Sequence, residues 1–548
     1  MSEGQQSRGA DALVAALQAL GVRTIFSLSG NQIMPVYDAC LTAGVRIIHT
    51  RHEAAAVFMA DAWSQLTGEL GVAMVTAGPG LGNAMGALYA ARMNDSPVLL
   101  LAGDSPLAQD GQGAFQMLDQ CAMCAPVVKR TMRSAGADRL VEEVMALAGI
   151  ALSGRHGPVH LALPADVLDN RLNQPVSQAA LHERARVCRA DDSTAPPELC
   201  KRWLTMLRTA KRPLVLTGPM LSRSRIGDRV ADLSAACQAP VLCIDSSRGL
   251  RDPAQSNLAA CVAASDCLLL IGRQADFATG FAARQQAASR TILVADAVPS
   301  LATNATESVE VSPMAMALAL IAQAAADTMS GLPASRSREA DAWSARVPAT
   351  LSARPESTFG DAAFAGALDA LQARLDTLAD PVLIIDGGEF GQWAQARLSA
   401  KTRIVNGLSG AIGGGPPMAV AAALARPDST IVLLMGDGSA GFHLLEFETA
   451  VRVGARFIAI VGNDHQWHAE SLIQARSYGP DRRFACELSQ QTRYDLAATA
   501  LGGSGEQVDD DRELMPAFER ALARGGVTCI DWRINPQPAP EYPRTELI

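Results

Sequence analysis

Aromatic residues and long apolar runs are both scarce in this sequence of 548 residues, of which 4% are aromatic. Apolar runs such as 98–102 and 267–271 are far too short to span a bilayer. The first residues contain no basic segment followed by an apolar stretch, so the sequence predicts no signal peptide. The net charge of −9 lacks the basic excess that nucleic acids and anionic membranes attract. We therefore expect a cytoplasmic protein with a small-molecule partner, and no nucleic-acid or membrane partner.

A disulfide framework is also absent. The eleven cysteines are odd in number and have no regular spacing, which is typical of reduced thiols. Cys121 and Cys124 form the one suggestive CxxC pair. No second CxxC and no histidine lies nearby, as a zinc site would require. We therefore interpret this pair as ordinary packing.

The sequence does contain a regular alternation of short β-branched runs with alanine-rich stretches. This alternation is typical of βαβ units and parallel sheets, and the length suggests about three domains. We predict three doubly wound α/β domains with parallel sheets at residues 8–172, 198–326 and 359–540, joined by polar linkers at 173–197 and 327–358. The predicted strands are 24–28, 46–50, 72–77, 98–103 and 159–163; 214–217, 241–244, 267–271, 292–295 and 309–311; and 382–386, 404–406, 431–435, 457–462 and 529–532.

One strand–turn–helix–strand unit in the third domain carries most of the chemistry. An apolar strand is followed by GDGS at 436–439, a predicted helix at 442–453, and a second strand that ends in GND at 462–464. Because adjacent parallel strands end at the same sheet edge, Asp437 and Asp464 can converge on one point. Mg²⁺ is commonly bound by one or two carboxylates together with substrate phosphates. The glycines let a phosphate approach the backbone, and the following helix directs its N-terminal amides at the anion.

This unit, with 24 residues between Gly438 and Asn463, resembles the diphosphate and metal motif of thiamine-diphosphate enzymes. The similarity covers nearly the whole chain and is to the acetolactate synthase-like superfamily, which includes acetolactate synthase, benzaldehyde lyase and 2-hydroxyacyl-CoA lyase. It implies thiamine diphosphate and Mg²⁺ as cofactors, and pyrimidine-binding, central and diphosphate-binding domains in chain order. It also implies that Asp437, Asp464 and the backbone carbonyl of Gln466 hold the metal. Many relatives have asparagine in place of Asp464.

A glutamate in the first domain also matches the family. Glu53 follows the predicted strand 46–50 and precedes a predicted helix at 54–66. A lone glutamate at this position is usually explained by its favourable interaction with the helix dipole. The resemblance implies instead that Glu53 is the catalytic glutamate, which protonates N1′ of the cofactor's aminopyrimidine and thereby promotes ylide formation at C2. The cofactor then supplies the difficult chemistry, while the protein supplies geometry and a dry site.

Three further segments match family segments around the cofactor. GPGLGN at 78–83 resembles the loop beside the pyrimidine, and SGAIG at 409–413 resembles the segment whose bulky residue bends the cofactor. The β-branched Ile412 is stiff enough for that role. DGGEFGQW at 386–393 aligns with the loop against the diphosphate, but Glu and Phe replace the usual Gln and His, so we expect contacts through backbone amides. The cofactor-binding residues implied by the resemblance are Glu53, Pro79, Asn83, Glu389, Phe390, Ile412, Gly413, Gly436, Asp437, Gly438, Ser439, Asp464, Gln466 and Trp467.

The candidate catalytic residues near substrate, besides Glu53, are neutral and come from separate loops. Asn31 and Gln32 follow the first strand, Gln116 ends a GAFQ segment whose glutamine reaches substrate in the family, and His468 follows the metal loop. No arginine can be assigned to a substrate carboxylate. We therefore predict a C–C bond lyase or carboligase that acts on 2-keto acids or 2-hydroxy ketones through an enamine. Acetolactate synthase proper, and an enzyme like 2-hydroxyacyl-CoA lyase or oxalyl-CoA decarboxylase, remain open alternatives.

The central domain lacks a segment that true acetolactate synthases use for flavin. IGRQADF at 271–277 stands in place of their RFDDR-like segment. The resemblance therefore predicts no FAD. It leaves open whether this domain is empty or holds a nucleotide such as ADP or CoA.

Two alternatives lie outside the family. A nicotinamide-dependent dehydrogenase would use 78–83 as a dinucleotide fingerprint and Asp104 for the ribose, but Asn83 replaces the third glycine of GxGxxG. A non-catalytic cofactor-binding protein would not need Glu53. In the family, the glutamate domain of one subunit faces the metal domain of another. The resemblance therefore implies a homodimer or homotetramer with active sites at the subunit interface.

Overall fold

Three separate parallel sheets form the framework of the chain. The computed structural model describes residues 7–174, 176–188, 194–281, 290–301, 305–329, 337–351 and 362–540. All strand pairs of the three described sheets are parallel, which confirms the predicted fold class. The predicted domain bounds stay a prediction, and the bound at 359 lies outside the described residues.

The chain divides into two compact units. The first consists of residues up to 191 together with 416–427 and 445–455, and the second consists of the rest. The first sheet belongs to the first unit, and the other two sheets belong to the second.

Seventeen strands are assigned among the described residues. The first sheet, in the order β2-β1-β3-β4-β6-β5, contains β1 Thr24–Ser27, β2 Arg46–His49, β3 Gly71–Val75, β4 Val98–Asp104, β5 Arg130–Arg133 and β6 Val159–Pro164. The second, in the order β11-β10-β9-β7-β8, contains β7 Pro213–Thr217, β8 Val241–Cys243, β9 Cys267–Ile271, β10 Thr291–Asp296 and β11 Glu307–Glu310. The third, in the order β13-β12-β14-β15-β17-β16, contains β12 Pro381–Ile385, β13 Thr402–Val405, β14 Thr430–Gly436, β15 Phe457–Asn463, β16 Ser504–Val508 and β17 Val527–Arg533.

Helices connect these strands, as parallel crossovers require. In the first half of the chain they are α1 Gly9–Ala19, α2 Met34–Ala43, α3 Glu53–Thr67, α4 Pro79–Met93, α5 Gln120–Cys124, α6 Leu140–Leu152, α7 Ala165–Asp169, α8 Gln178–Cys188, α9 Pro197–Thr209, α10 Arg223–Ile226, α11 Arg229–Cys237 and α12 Leu258–Ala264. In the second half they are α13 Pro313–Met329, α14 Arg338–Leu351, α15 Ala362–Leu375, α16 Gly388–Arg397, α17 Gly415–Ala425, α18 Asp437–His443, α19 Glu446–Val453, α20 His468–Tyr478, α21 Tyr494–Ala500 and α22 Leu514–Arg524. None of the described helices is long and apolar enough to cross a membrane.

Each sheet reverses its strand order at one point that matters for ligand binding. The reversal lies between β1 and β3 in the first sheet and between β12 and β14 in the third. Loops leave the carboxyl ends of such strand pairs in opposite directions and open a crevice, where ligands of this fold class bind. Among the predicted site residues, Asn31 and Gln32 follow β1, Pro79 and Asn83 follow β3, and Asp437 follows β14, whereas Glu53 follows β2 and Asp464 follows β15.

Two strands were not predicted, and both are edge strands. β5 and β16 close one side of the first and third sheets, and their sequences, RTMR and SGEQV, contain no apolar run. Only strands buried on both faces have continuous apolar sequences. The periodicity that identified the central strands therefore could not identify these two.

Each of the two predicted linkers contains a helix, and the linker bounds stay a prediction. α8 buries Leu181 and Ala185, four residues apart, in the core of the first unit. α14 buries Trp343, whose indole N–H donates to the carbonyl of Pro213 at 2.8 Å. Both helices are otherwise polar, so their few apolar positions did not stand out. The rest of each linker includes residues outside the described ranges.

The helix predicted at 442–453 is two helices. α18 ends at His443 and α19 begins at Glu446. α18 belongs to the second unit, and α19, which buries Phe447 and Ala450, belongs to the first. The helix predicted after Glu53 is present as α3, and it begins at the glutamate itself.

Candidate active site

Three helices of the second unit begin at one cavity of about 270 Å³ at the carboxyl edge of the third sheet. The N-terminal residues of α16, α18 and α20 all line this cavity. Free backbone amides at helix N-termini favour anions, and three of them directed at one space favour an anion with several charges. The predicted residues that line the cavity are Glu389, Phe390, Ile412, Gly436, Asp437, Gly438, Ser439, Asp464, Gln466, Trp467 and His468.

Asp437 is the most perturbed carboxyl group at the cavity. Its side chain is 3% exposed, and one oxygen accepts from the amide of Gly438 at 2.9 Å. Burial, reinforced by the charge of Asp464, raises the pKa of Asp437 to about 7. Its Oδ2 is buried and accepts no hydrogen bond from the described residues. One oxygen of this buried carboxylate therefore lacks a partner, and a second carboxylate lies nearby. A cation would stabilise such an arrangement.

Asp464 and its neighbours form the other side of this acidic pair. The ring Nδ1 of His468 lies 3.1 Å from Asp464 Oδ2, and the imidazole is 9% exposed. His468 is therefore directed at the predicted metal ligand. Gln466, whose backbone carbonyl is the third predicted metal ligand, forms an isolated antiparallel β-bridge with Glu487. This bridge fixes the loop between β15 and α20.

The glycines of the GDG turn bring aromatic side chains close to the cavity. A Cβ on Gly438 would lie 2.6 Å from the ring of Trp467, so only glycine fits there. Trp467 packs edge-on against Phe442 with centroids 6.3 Å apart. The hydroxyl of Tyr494 donates to the backbone carbonyl of Asp437 at 2.9 Å, which helps to fix the GDG turn.

The loop that carries Ile412, one of the cavity-lining residues, is anchored by Asp386, a buried aspartate for which the sequence predicted no role. Asp386 follows β12 and accepts from the amides of Gly387, Gly413 and Gly415 at 2.7–3.1 Å. Burial raises the pKa of this carboxyl despite these three donors. Gly413 has φ +84° and touches Phe442, while the side chain of Ile412 packs on Gly387. The loop that carries Ile412 is therefore fixed to the end of β12.

The segment expected as a loop against the diphosphate is the first turn of α16. Glu389 accepts from Gln392 at 3.2 Å and from the amide of Ala539, so its carboxylate is engaged away from any anion. The ring of Phe390 is 5% exposed and packs on Gly462 within the core of the second unit. Contacts of these two residues with a ligand would therefore be through their backbone amides, as the sequence suggested.

Ser247, Arg248 and Asn406 also line the cavity and were not predicted. Arg248 is exposed, and no described residue forms an ion pair with it. The sequence offered no motif for this arginine, because it belongs to the region of the second sheet and is almost 200 residues from the GDG turn. The prediction that no arginine can be assigned to a substrate carboxylate stays a prediction, and Arg248 is the arginine at this cavity that bears on it.

Glu53 lies in the first unit, where it is the first residue of α3 and is 8% exposed. Its Oε2 accepts a hydrogen bond from the side-chain Nδ2 of Asn83 at 3.0 Å. Pro79 begins α4, which places Asn83 one turn later on the same helix. Gly80 lies next to the carboxylate, since a Cβ there would make ordinary contact with Glu53 Oε1 at 3.6 Å.

Helix α19 fixes the connection that leads to Glu53. The buried carboxylate of Glu446 accepts from the amide of Arg51 at 2.9 Å, and burial raises its pKa. Arg452 donates to the carbonyl of His49, and Arg46 donates to the carbonyl of Val453 at 3.3 Å. The backbone just before the glutamate is thus held at several points by residues about 400 positions away in the sequence.

Gln32 and Gln116 are brought together in the first unit, whereas Asn31 is not part of this pair. Gln32 is 8% exposed, and its amide nitrogen donates to Gln116 Oε1 at 2.8 Å. Asn31 begins a short 3-10 turn and its side chain is exposed. Of the predicted substrate residues in the first unit, the two glutamines form the connected pair.

Comparison with known proteins supports the assignment that this geometry suggests. Residues 7–123 match the family model for the thiamine pyrophosphate enzyme N-terminal TPP binding domain, and residues 386–532 match the C-terminal TPP binding domain. The first match contains Glu53 and Gln116, and the second contains all three helix starts at the cavity. The chain therefore belongs to the thiamine-diphosphate enzymes of the acetolactate synthase-like superfamily.

Curated relatives share nearly the full length of the chain. It is 32% identical to the acetolactate synthase large subunit of Mycobacterium tuberculosis, over 98% of each protein. It is 30% identical to 2-hydroxyacyl-CoA lyase 2 of Homo sapiens, over 92% of this chain and 86% of that protein. The catabolic acetolactate synthase of Raoultella terrigena is 28% identical over 97% of each. The protein is thus an enzyme, a thiamine-diphosphate-dependent lyase or carboligase of C–C bonds.

Proposed function

We propose that this enzyme cleaves or forms 2-hydroxy ketones, including the ligation of an aldehyde to a unit derived from a 2-keto acid. The observation that carries this proposal is the neutral, hydrogen-bonded pair Gln32–Gln116 in the unit that also contains Glu53. Neutral amides form hydrogen bonds with carbonyl and hydroxyl oxygens and do not require a carboxylate partner. A second 2-keto acid, which would bring its own carboxylate, is not specifically favoured by this pair.

The residues at the cavity of the second unit fit a diphosphate bridged by a divalent cation. Asp437 Oδ2 has no hydrogen-bond partner among the described residues, and three helix N-termini surround the same space. No group of three or more His, Cys, Asp or Glu that could bind a metal occurs in the described chain. We propose that Asp437, Asp464 and the carbonyl of Gln466 bind Mg²⁺, which suits an ion that completes its shell with phosphate oxygens and water.

The remaining contacts assign separate tasks to separate residues. The amides of α16 and α18 bind the diphosphate, and Ile412 supports the cofactor from the loop fixed by Asp386. Thiamine diphosphate, when bound, supplies the carbon nucleophile that attacks the substrate carbonyl. Glu53 exchanges a proton with N1′ of the cofactor's pyrimidine ring, and Asn83 holds the carboxylate in place through its 3.0 Å hydrogen bond.

We further propose a homodimer or homotetramer, in which Glu53 of one subunit serves the cofactor that another subunit holds. The family resemblance supports this assembly, since the glutamate and diphosphate domains of relatives meet between subunits. A cytoplasmic location and domain bounds at 8–172, 198–326 and 359–540 belong to the same proposal.

We propose that the domain of the second sheet binds no flavin and that Arg273 is its candidate contact for an anionic nucleotide group. Arg273 follows β9, where this sheet reverses its order, and its side chain is 1% exposed. One guanidinium nitrogen pairs with Asp276, while Nε and Nη1 have no partner among the described residues. A buried guanidinium with free donors suits a phosphate group.

Purified protein is expected to be colourless, because the segment at 271–277 lacks the flavin-binding sequence of true acetolactate synthases. A visible absorption spectrum of the purified protein would detect bound flavin. Chromatography of the supernatant after acid denaturation is the companion measurement for ADP or CoA. A flavin spectrum at one equivalent per chain would overturn the assignment.

Acetolactate synthase is the second candidate function, and Arg248 is the observation that favours it. This exposed arginine lies at the cavity of the second unit without an ion-pair partner among the described residues, so it is available to a carboxylate. Two of the relatives named above are acetolactate synthases. Arg248 is equally available to a phosphate of the cofactor or of a CoA thioester.

The two candidates differ in their use of pyruvate. We expect little acetolactate from enzyme, thiamine diphosphate, Mg²⁺ and pyruvate, and faster aldehyde release from the best of a panel of 2-hydroxy ketones. Colorimetric detection of acetolactate and coupled detection of aldehyde give both rates on one preparation. Acetolactate formation as fast as cleavage of the best hydroxy ketone would replace the first proposal with the second.

A further inference from the structure

We propose that Thr76 determines substrate specificity by holding Gln32 in a hydrogen-bond chain that ends at Gln116. Thr76 follows β3, and its hydroxyl donates to Gln32 Oε1 at 2.5 Å. Gln32 then donates through Nε2 to Gln116 Oε1 at 2.8 Å. The chain crosses the point where the first sheet reverses its order, because Gln32 lies beyond β1 and Thr76 lies beyond β3.

Glycines at three positions give each member of the chain a fixed place. A Cβ on Gly30 would lie 2.3 Å from Thr76, and one on Gly103 would lie 2.8 Å from the Cβ of Gln32. Gly78 has φ +58°, and a Cβ there would lie 2.9 Å from the backbone carbonyl oxygen of Gln116. The three side chains therefore sit where larger neighbours could not be accommodated.

The backbone of Gln116 is itself held in an uncommon conformation. Its φ is +58°, in the left-handed region that a residue with a side chain rarely adopts. Such a conformation persists where surrounding contacts over-determine it, and it often marks a functional site. Here the contacts are the hydrogen bond from Gln32 and the close approach to Gly78.

The chain lies next to the catalytic glutamate. A Cβ on Gly80 would lie 2.8 Å from Thr76 Cγ2 and 3.6 Å from Glu53 Oε1, so both side chains flank the same glycine. The chain can therefore influence what approaches Glu53 without bonding to it.

The direction of the chain decides which atom Gln116 offers to a ligand. Because its Oε1 is occupied by Gln32, its Nε2 is the free end, and no described residue accepts from that nitrogen. Gln116 is partly exposed, so a ligand can reach its side chain. Gln116 therefore recognises an acceptor oxygen, such as the carbonyl oxygen of a hydroxy ketone or the oxygen of a carboxylate or thioester.

Thr76→Val tests whether Thr76 holds Gln32 in place, because valine keeps the shape and removes the hydrogen bond to Gln32. We expect kcat/KM to fall about tenfold, mainly through KM, since Gln32 can then rotate and Gln116 loses its fixed orientation. Thr76→Ser retains the hydroxyl and should stay within about twofold of wild type. Cofactor affinity, measured by calorimetry, should not change in either variant.

Gln116→Glu tests which atom faces the ligand. Glutamate can still accept from Gln32, but it presents a second oxygen where the amide nitrogen was. We expect kcat/KM to fall on the order of 100-fold, further than in Gln116→Ala, because two acceptors then oppose each other. If Gln116→Glu is more active than Gln116→Ala, the free end is an acceptor and the inference is wrong.

A readout without turnover separates this inference from the proposed function on which it rests. Hydrogen exchange of the Gln32 side-chain amide, followed by NMR in the apo-protein, should be slow in wild type and Thr76→Ser and fast in Thr76→Val. Kinetic comparisons use whichever substrate wild type turns over best, so failure of hydroxy ketone cleavage would leave this test intact. Equal exchange rates in the three proteins would refute the role of Thr76.

Discussion

Asp437→Ala is expected to abolish Mg²⁺-dependent binding of thiamine diphosphate. The substitution removes the carboxylate whose free Oδ2 faces the cavity and leaves the diphosphate without its proposed bridging cation. The interaction of an anion with a helix dipole is worth roughly 0.3–1 kcal/mol, too little to replace a divalent ion. Isothermal titration of thiamine diphosphate into the apo-protein, with and without Mg²⁺, measures the effect.

Asp464→Asn is the matched control for this experiment. An amide oxygen remains available to the cation, and asparagine is the residue that many relatives have, so the loss of affinity should be mild. The same substitution weakens the contact with His468 at 3.1 Å, which reports whether that pairing matters for turnover. Binding by Asp437→Ala that equals wild type in the presence of Mg²⁺ would show that the metal site has been misplaced.

Glu53→Gln is expected to keep most of the cofactor affinity and lose turnover by about 10²–10⁴-fold, the usual contribution of a general acid–base group. Glutamine has the same shape and can still accept the hydrogen bond from Asn83, so the local structure should persist. It cannot exchange a proton with N1′ of the cofactor. The rate of C2-proton exchange in bound thiamine diphosphate, measured by NMR after acid quench, should fall with the turnover.

The control for Glu53→Gln is to measure cofactor affinity and C2-proton exchange on the same preparation. Calorimetry should give an affinity for thiamine diphosphate close to that of wild type, while C2 exchange slows. A parallel loss of affinity would indicate damage to the fold around α3 instead of loss of proton transfer. Unchanged C2 exchange would remove Glu53 from the chemistry altogether.

The three-sheet architecture could be predicted because the central strands are buried on both faces. β14 and β15 are continuous apolar runs for this reason, and they led directly to the GDG turn and Asp464. β5 and β16 lie at sheet edges, where one side is open and polar residues are tolerated. Helices such as α14, which bury a single tryptophan and few other apolar residues, give a weak periodic signal.

The candidate site was predictable where its residues are close in sequence. Asp437 and Gly438 form one motif, and Asp464 follows the next strand. Residues that act through long-range contacts were invisible: Glu446 reaches the amide of Arg51 across 395 positions, and Arg248 reaches the cavity from the region of another sheet. Local sequence carries no trace of such partners, since only the fold brings them together.

Dependence of C–C bond cleavage on thiamine diphosphate is the most direct test of this enzyme's proposed activity. The protein would be stripped of cofactor and metal with chelator at alkaline pH, then assayed with the best 2-hydroxy ketone of the panel. Turnover should be absent from the stripped protein, and it should return only when thiamine diphosphate and Mg²⁺ are both restored. Cleavage at the full rate by the stripped protein, or none by the fully restored protein on any hydroxy ketone or 2-keto acid, would contradict the proposal.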